Sequence, residues 1–88
     1  MKLSATPRFL KSIPVDRRNE VFTAMKAAAL AYGHPHLHAG IGLRRILPFM
    51  ECRCGRDLRL VFQREGEALV FHLCGTHDEI RVFLKNER

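Results

Sequence analysis

The chain has 88 residues, 47% of them apolar, and sets 15 lysines and arginines against 9 acids for a formal net charge of +6. That length accommodates one small domain, residues 1–88, with a single core. No apolar run approaches the ~20 residues that cross a bilayer and no apolar leader opens the chain, so the expectation is a cytoplasmic protein without a membrane partner. Its 3 cysteines are an odd count outside any small-disulfide pattern and read as reduced thiols. The excess positive charge points to an anionic partner, either nucleic acid or an acidic protein.

In chain order, Met1 to Ser4 has the composition of a short first strand. Thr6 followed by Pro7 is a helix start, a hydroxyl N-cap and then a proline whose missing N–H costs nothing. Phe9, Leu10 and Ile13 share one side of the resulting helix over 6–13, and Pro14 closes it. A second helix over 15–32 carries Val21, Phe22, Met25, Ala28, Ala29 and Tyr32 at helical spacing and ends at Gly33. Together they predict a helical hairpin whose apolar stripe covers one sheet face and leaves the other face available. His34-Pro35-His36-Leu37-His38 then opens a glycine-containing loop. Three alternating histidines can ligate a metal, but no carboxylate or cysteine stands nearby, and the reading assigns no metal and no cofactor. Leu43-Arg44-Arg45-Ile46 predicts a strand at 43–47 whose two arginines point to opposite faces.

The stretch from Met50 to Ile80 holds the clearest pattern. Phe49 to Cys54 is a strand, and Leu58, Leu60 and Phe62 alternate with Arg59, Val61 and Gln63 as one buried face requires. The turn Arg64-Glu65-Gly66-Glu67 leads into an apolar run at 68–74, so residues 57–74 predict a hairpin. A short helix follows His77. The fold class is α+β, a helical pair packed on one face of a small, mainly antiparallel sheet.

In the order and spacing of these segments, from LRRI through DLRLVFQ to LVFHLCGTHDEIRVF, the chain resembles the RelE/ParE superfamily of bacterial toxin–antitoxin toxins, and within it the RelE/YafQ-like branch. The resemblance implies an endoribonuclease that cleaves mRNA on the ribosome, with a cognate antitoxin as partner. It places Arg59 where such toxins hold an arginine near the scissile phosphate. It places His77 where some members have an arginine and YafQ-like members a histidine serving as general acid. Arg53 and Asp57 match a histidine and an aspartate of the YafQ-like branch. Phe83 falls on a tyrosine of RelE, whereas Arg81 stands where the YafQ-like branch has its aromatic residue. Arg44, Arg45 and His38 or His36 complete the implied RNA-binding set.

These residue types suit metal-free RNA cleavage. The 2′-hydroxyl attacks the neighbouring phosphorus, so a base must take its proton, an acid must protonate the leaving 5′-oxygen and a cation must hold the charged phosphorane. An arginine fork clasps two phosphate oxygens, and a histidine, with its unperturbed pKa of ~6.5, exchanges protons near neutrality. For the base, Asp57, Arg53 and a loop histidine compete. Each also has a plain structural reading: Arg59 as an exposed strand cation, His77 as a helix-start residue, Asp57 as a turn residue. Cys52-x-Cys54 with Cys74-x-x-His77 offers an alternative, a zinc-stabilised binding module, although two strands flanking a third stand about 10 Å apart, too far for tetrahedral ligands. A ParE-like gyrase inhibitor or an inactive toxin homologue would share the same fold.

Overall fold

The structure, a computed structural model, describes residues 1–34 and 39–87. His36 and His38 lie outside the described residues. Five strands form one mixed sheet: β1 (Lys2–Ala5), β2 (Arg44–Ile46), β3 (Phe49–Cys54), β4 (Leu58–Glu65) and β5 (Ala68–Gly75), in spatial order β1-β5-β4-β3-β2. Strands β2 to β5 form an antiparallel meander, whereas β1 runs parallel to β5 at the far edge. Among the described residues three α-helices accompany them: α1 (Pro7–Ser12), α2 (Arg18–Gly33) and α3 (His77–Glu87).

The alternation of β4 divides the interior in two. Leu58, Leu60 and Phe62 face a core built with Phe9, Ile13, Val21, Met25 and Ala28 of the helical layer. Val61 points the other way, into a second core with Phe49, Ile80, Phe83 and Leu84. Phe62 and Phe71 stack at 4.9 Å across the β4–β5 ladder, and Phe9 reaches Phe71 from α1 at 5.5 Å. Stripes of Val21, Met25 and Ala28 suit α2 to this role, because the small alanine lets the helix lie close to the sheet.

Strand β5 departs from simple alternation. Val61 pairs with Leu73 but Phe62 pairs with Phe71, so His72 is an extra residue and β5 bulges there. Phe71 and Cys74 consequently share the first core, while Leu73 packs on the second and His72 lies edge-on to Phe49. The shifted register sets Gly75 opposite Arg59 at the end of the ladder.

Two expectations need correction. Strand β1 and a helical layer over one sheet face are present as expected, but the two helices sit on separate strands rather than as a packed hairpin: α1 lies chiefly on β5 and α2 chiefly on β3. Thr6 ties α1 directly to the sheet, since its backbone N–H donates to Phe71 O and its Oγ1 accepts from Phe9 N–H at 3.1 Å. Second, the opposite sheet face is not left open along its length. Ile80, Phe83 and Leu84 recur on one side of α3 and are buried there, because the apolar Val61, Phe49 and Leu73 require cover. Near β2 and the start of α3 this face opens into a cleft.

Phe62→Ala removes a fully buried ring from the first core and is expected to cost about 3–5 kcal/mol, whereas Thr6→Ala removes one cap and should cost about 1 kcal/mol. Urea unfolding measures both. A loss below that of the cap variant for Phe62→Ala would contradict the assigned core.

Candidate functional site

The accessible end of the second face is a cleft of about 180 Å³ lined by Arg44, Ile46, Glu51, His77, Ile80, Arg81 and Leu84. The strand register explains who is there. Arg44 pairs with Glu51 across β2–β3, and Arg53 pairs with Arg59 across β3–β4, so all four lie on one face. Arg45, the neighbour of Arg44, pairs with Met50 and lines a different cleft with Tyr32 and Leu43. Of the two adjacent arginines, only Arg44 therefore lines the cleft with His77.

Glu51, which lines this cleft, accepts a hydrogen bond at its Oε1 from Arg59 Nη1 at 2.6 Å, so Arg59 adjoins the cleft through Glu51 without being one of its lining residues. The Glu51 side chain is 4% exposed and that of Arg59 25%. Removing one partner of such a pair leaves a buried charge uncompensated, a cost of about 3–5 kcal/mol, so each holds the other in place. Glu51 is a site residue that the sequence reading overlooked. The sequence shows only an acid between the apolar Met50 and Cys52; the β3–β4 register, which sets it one ladder rung from Arg59, gives it its role.

His77 is exposed and is the first residue of α3. Its place is fixed by a reciprocal cap in Thr76-His77-Asp78-Glu79: Thr76 N–H donates to Glu79 Oε1 at 2.8 Å, and Glu79 N–H donates to Thr76 Oγ1 at 3.3 Å. Gly75 precedes it, with Glu79 Cβ only 3.1 Å from where a Cβ would stand. Arg81, one turn further on, rims the same cleft and pairs loosely with Asp78 at 3.7 Å. Glu51, His77, Arg44 and Arg81 thus line one cleft, and Arg59 is bound to it through Glu51.

The remaining candidates lie elsewhere. Arg53 shares the face, but its guanidinium turns against Gly42, whose φ of +62 and lack of a Cβ make room for it, and it lines a separate cleft with Arg56. Asp57 is at the tip of the β3–β4 hairpin, where both carboxylate oxygens accept from Arg17 Nη1 at 2.7 Å. Arg17 also holds Glu20, at 2.8 Å, which ties the hairpin tip to the helical layer. Phe83 is buried, 5.3 Å from Phe49 and under the Arg8 guanidinium, so its ring is engaged in packing. A wider cleft of about 640 Å³ beside Met1, Tyr32 and Arg64 has no histidine among its described lining residues.

The thiols belong to the first core. Cys52 and Cys74 flank Leu60 on either side, two strand spacings apart, and Cys54 lies one step along. Burial pushes Cys52 and Cys74 up to about 12 and raises Cys54 as well, so they pack as neutral thiols. Among the described residues no group of three or more His, Cys, Asp or Glu side chains is placed to hold a metal.

Hydrogen bonds from Arg17 hold Asp57 and Glu20 below their ordinary values of 3.8 and 4.5. A depressed native value means that the stabilisation is complete above the ordinary range and disappears as pH falls through the depressed values. Asp57→Asn should therefore be less stable than the parent at neutral pH, with the two converging in acid. Urea titrations across that range measure the difference, and a gap that widens in acid would contradict the pairing.

No protein-family model matches the sequence, and no curated protein sequence does. Solved structures do. YafQ from Escherichia coli strain BL21(DE3) superposes with a TM-score of 0.64 at 15% identity, over 90% of this chain and 96% of that one. A copper-bound mutant toxin from Helicobacter pylori gives a TM-score of 0.64 at 23% identity, over 91% and 98%. YafQ in the E. coli DinJ–YafQ toxin–antitoxin complex gives 0.62 at 14% identity, over 90% and 94%. Over nearly its whole length, the chain has the α+β fold of the RelE/YafQ-like toxins.

Proposed function

We propose that this protein is the toxin of a type II toxin–antitoxin module and that it arrests growth by cleaving mRNA on the ribosome, in the cytoplasm. The observation that carries the reading is that Glu51, His77, Arg44 and Arg81 line one cleft, with Arg59 hydrogen-bonded to its Glu51, in a fold shared with solved toxins.

In this reading, side chains supply the chemistry. Arg59 commits Nη1 to Glu51, which leaves Nη2 and Nε of its fork for a phosphate. A charge that is fixed before substrate arrives needs no reorganisation as the phosphorane forms. Arg44 and Arg81 at the rim neutralise the flanking phosphates, a sequence-independent contribution that weakens with salt. His77 donates a proton to the departing 5′-oxygen, leaving a 2′,3′-cyclic phosphate and a 5′-hydroxyl. Asp57 and Arg53 support the hairpin that presents Arg59, Arg45 serves RNA contacts outside the cleft, and His38 serves RNA contacts as well.

The proposed partner is a cognate antitoxin. YafQ is known in complex with DinJ, and a surface of formal charge +6 suits an acidic segment that occludes the phosphate-binding arginines.

Induced expression in a bacterial host tests the proposal. His77→Ala should remove growth arrest, and His77→Arg should retain part of it by supplying a cation. Arg59→Lys keeps the charge beside Glu51 but loses the fork, so it should cut cleavage about 100- to 1,000-fold without unfolding the protein. Undiminished arrest in His77→Ala and Arg59→Lys at equal soluble level would rule out this cleft as the source of toxicity.

A further inference from the structure

We infer that the two clefts on either side of Tyr32 carry the RNA strand onward from the cleft of His77. In this track Arg44 and Arg45 hold backbone phosphates, and the Tyr32–Arg64 pair stacks on a base. The inference rests on the nuclease reading and adds to it a second region of contact with the same strand.

Shared lining residues make the track continuous. Arg44 lines the cleft of His77 and also a cleft of about 210 Å³ with Arg45, Tyr32, Leu43 and Met50. Tyr32 in turn lines both that cleft and the wider one of about 640 Å³ with Arg64, Lys2 and Glu67. Strand β2 is the last of the sheet, and its neighbouring arginines point to opposite faces, so the path turns round that edge from the α3 side to the helical layer. Arg45, which does not line the cleft of His77, thereby gains a place on the way out of it. Arg64 stands two strands further in, on β4, about 10 Å across the sheet. A path that bends round a strand edge within that distance suits a flexible single strand, as a message is. Among their described lining residues, the two further clefts set Arg44, Arg45, Arg64 and Lys2 against one acid, Glu67.

Arg64 is held rather than left loose. It is exposed at the end of the β4–β5 hairpin, where a long side chain ordinarily keeps its rotamer freedom. Its Nε–H nevertheless donates to Gly66 O at 2.9 Å, and its guanidinium lies over the Tyr32 ring, 5.9 Å from the centroid. Tyr32 is itself steadied by packing against the first core, yet it is only partly buried. The Nη groups of Arg64 make no hydrogen bond among the described residues. A cation fixed on a π surface beside a basic cleft is the combination that binds single-stranded RNA, in which phosphates meet the charge and unpaired bases stack on rings and guanidinium planes. The alternative, that Arg64 only closes the turn and Tyr32 only fills the core, predicts no effect on RNA.

Steady-state cleavage of a defined message on programmed ribosomes separates the two. Arg64→Glu, and the charge-neutral Tyr32→Leu that keeps apolar packing, should each raise KM about 10-fold with kcat unchanged. Lys26→Glu makes the same charge change at an exposed position of α2 away from both clefts and should leave KM at the parental value. Urea unfolding confirms that each variant is folded, and Arg64→Glu, at an exposed site, keeps the test decisive should Tyr32→Leu fail to fold. The second arm uses a message carrying 4-thiouridine on either side of the cut, bound on ribosomes with the His77→Ala protein and irradiated. Attachment of the message to the segments holding Tyr32 or Arg64 is expected. Parental KM in Arg64→Glu, a KM effect as large in Lys26→Glu, or a KM effect without message attachment there, which assigns the contact to ribosomal RNA, would each overturn the track while leaving the nuclease reading intact. Absence of cleavage by the parent protein would overturn both.

Discussion

Everything in this molecule depends on the alternation of β4, where Leu58, Leu60 and Phe62 face one way and Arg59 and Val61 the other. A strand at the centre of a sheet has neighbours on both edges and must satisfy both faces. Here the first face is apolar at Leu58, Leu60 and Phe62 and takes the helical layer, while the second carries Val61 and the ionic Arg59. The apolar part needs α3 as cover; the ionic part needs a counter-charge, and Glu51 of β3 supplies it at 2.6 Å. Since register shifts by one residue would exchange the faces, the same constraint that builds the core also fixes the arginine of the cleft.

The bulge at His72 extends this logic to β5. By inserting one residue it returns Cys74 to the first core and leaves Leu73 on the second, and it ends the strand with Gly75 opposite Arg59. The chain then turns at once into α3, capped reciprocally by Thr76 and Glu79, so His77 emerges at the mouth of the cleft. Buried α3 residues Ile80 and Leu84 line the same cleft from the side. The helix that closes the second core is therefore also the wall of the site.

Much of this was legible in the sequence, for physical reasons that are local. The β4–β5 hairpin, strand β3 at 49–54 and the Thr6-Pro7 start all follow from period, turn chemistry and capping, which act over a few residues; α2 does stop at Gly33, but with His34 rather than a left-handed glycine as its cap. Arg59 was legible as a cation on the face opposite Leu58, Leu60 and Phe62. What was not legible came from pairing between distant segments. The choice of Arg44 over Arg45 depends on which rung of β3 each one meets. Engagement of Asp57 by Arg17 spans 40 residues of chain. The burial of Phe83 under Arg8 depends on α3 folding back onto the second face. Glu51 escaped because an isolated acid in an apolar strand gains meaning only when its partner's register is known.

The central claim is that this cleft performs metal-free transesterification on mRNA. Mapping of the cut ends on purified ribosomes translating a defined message, with the protein added, tests it most directly. The account predicts upstream fragments ending in a 2′,3′-cyclic phosphate and downstream fragments beginning with a 5′-hydroxyl, formed in the presence of a chelator. Intact message at full occupancy of the protein on the ribosome, or ends bearing a 5′-phosphate, would contradict it.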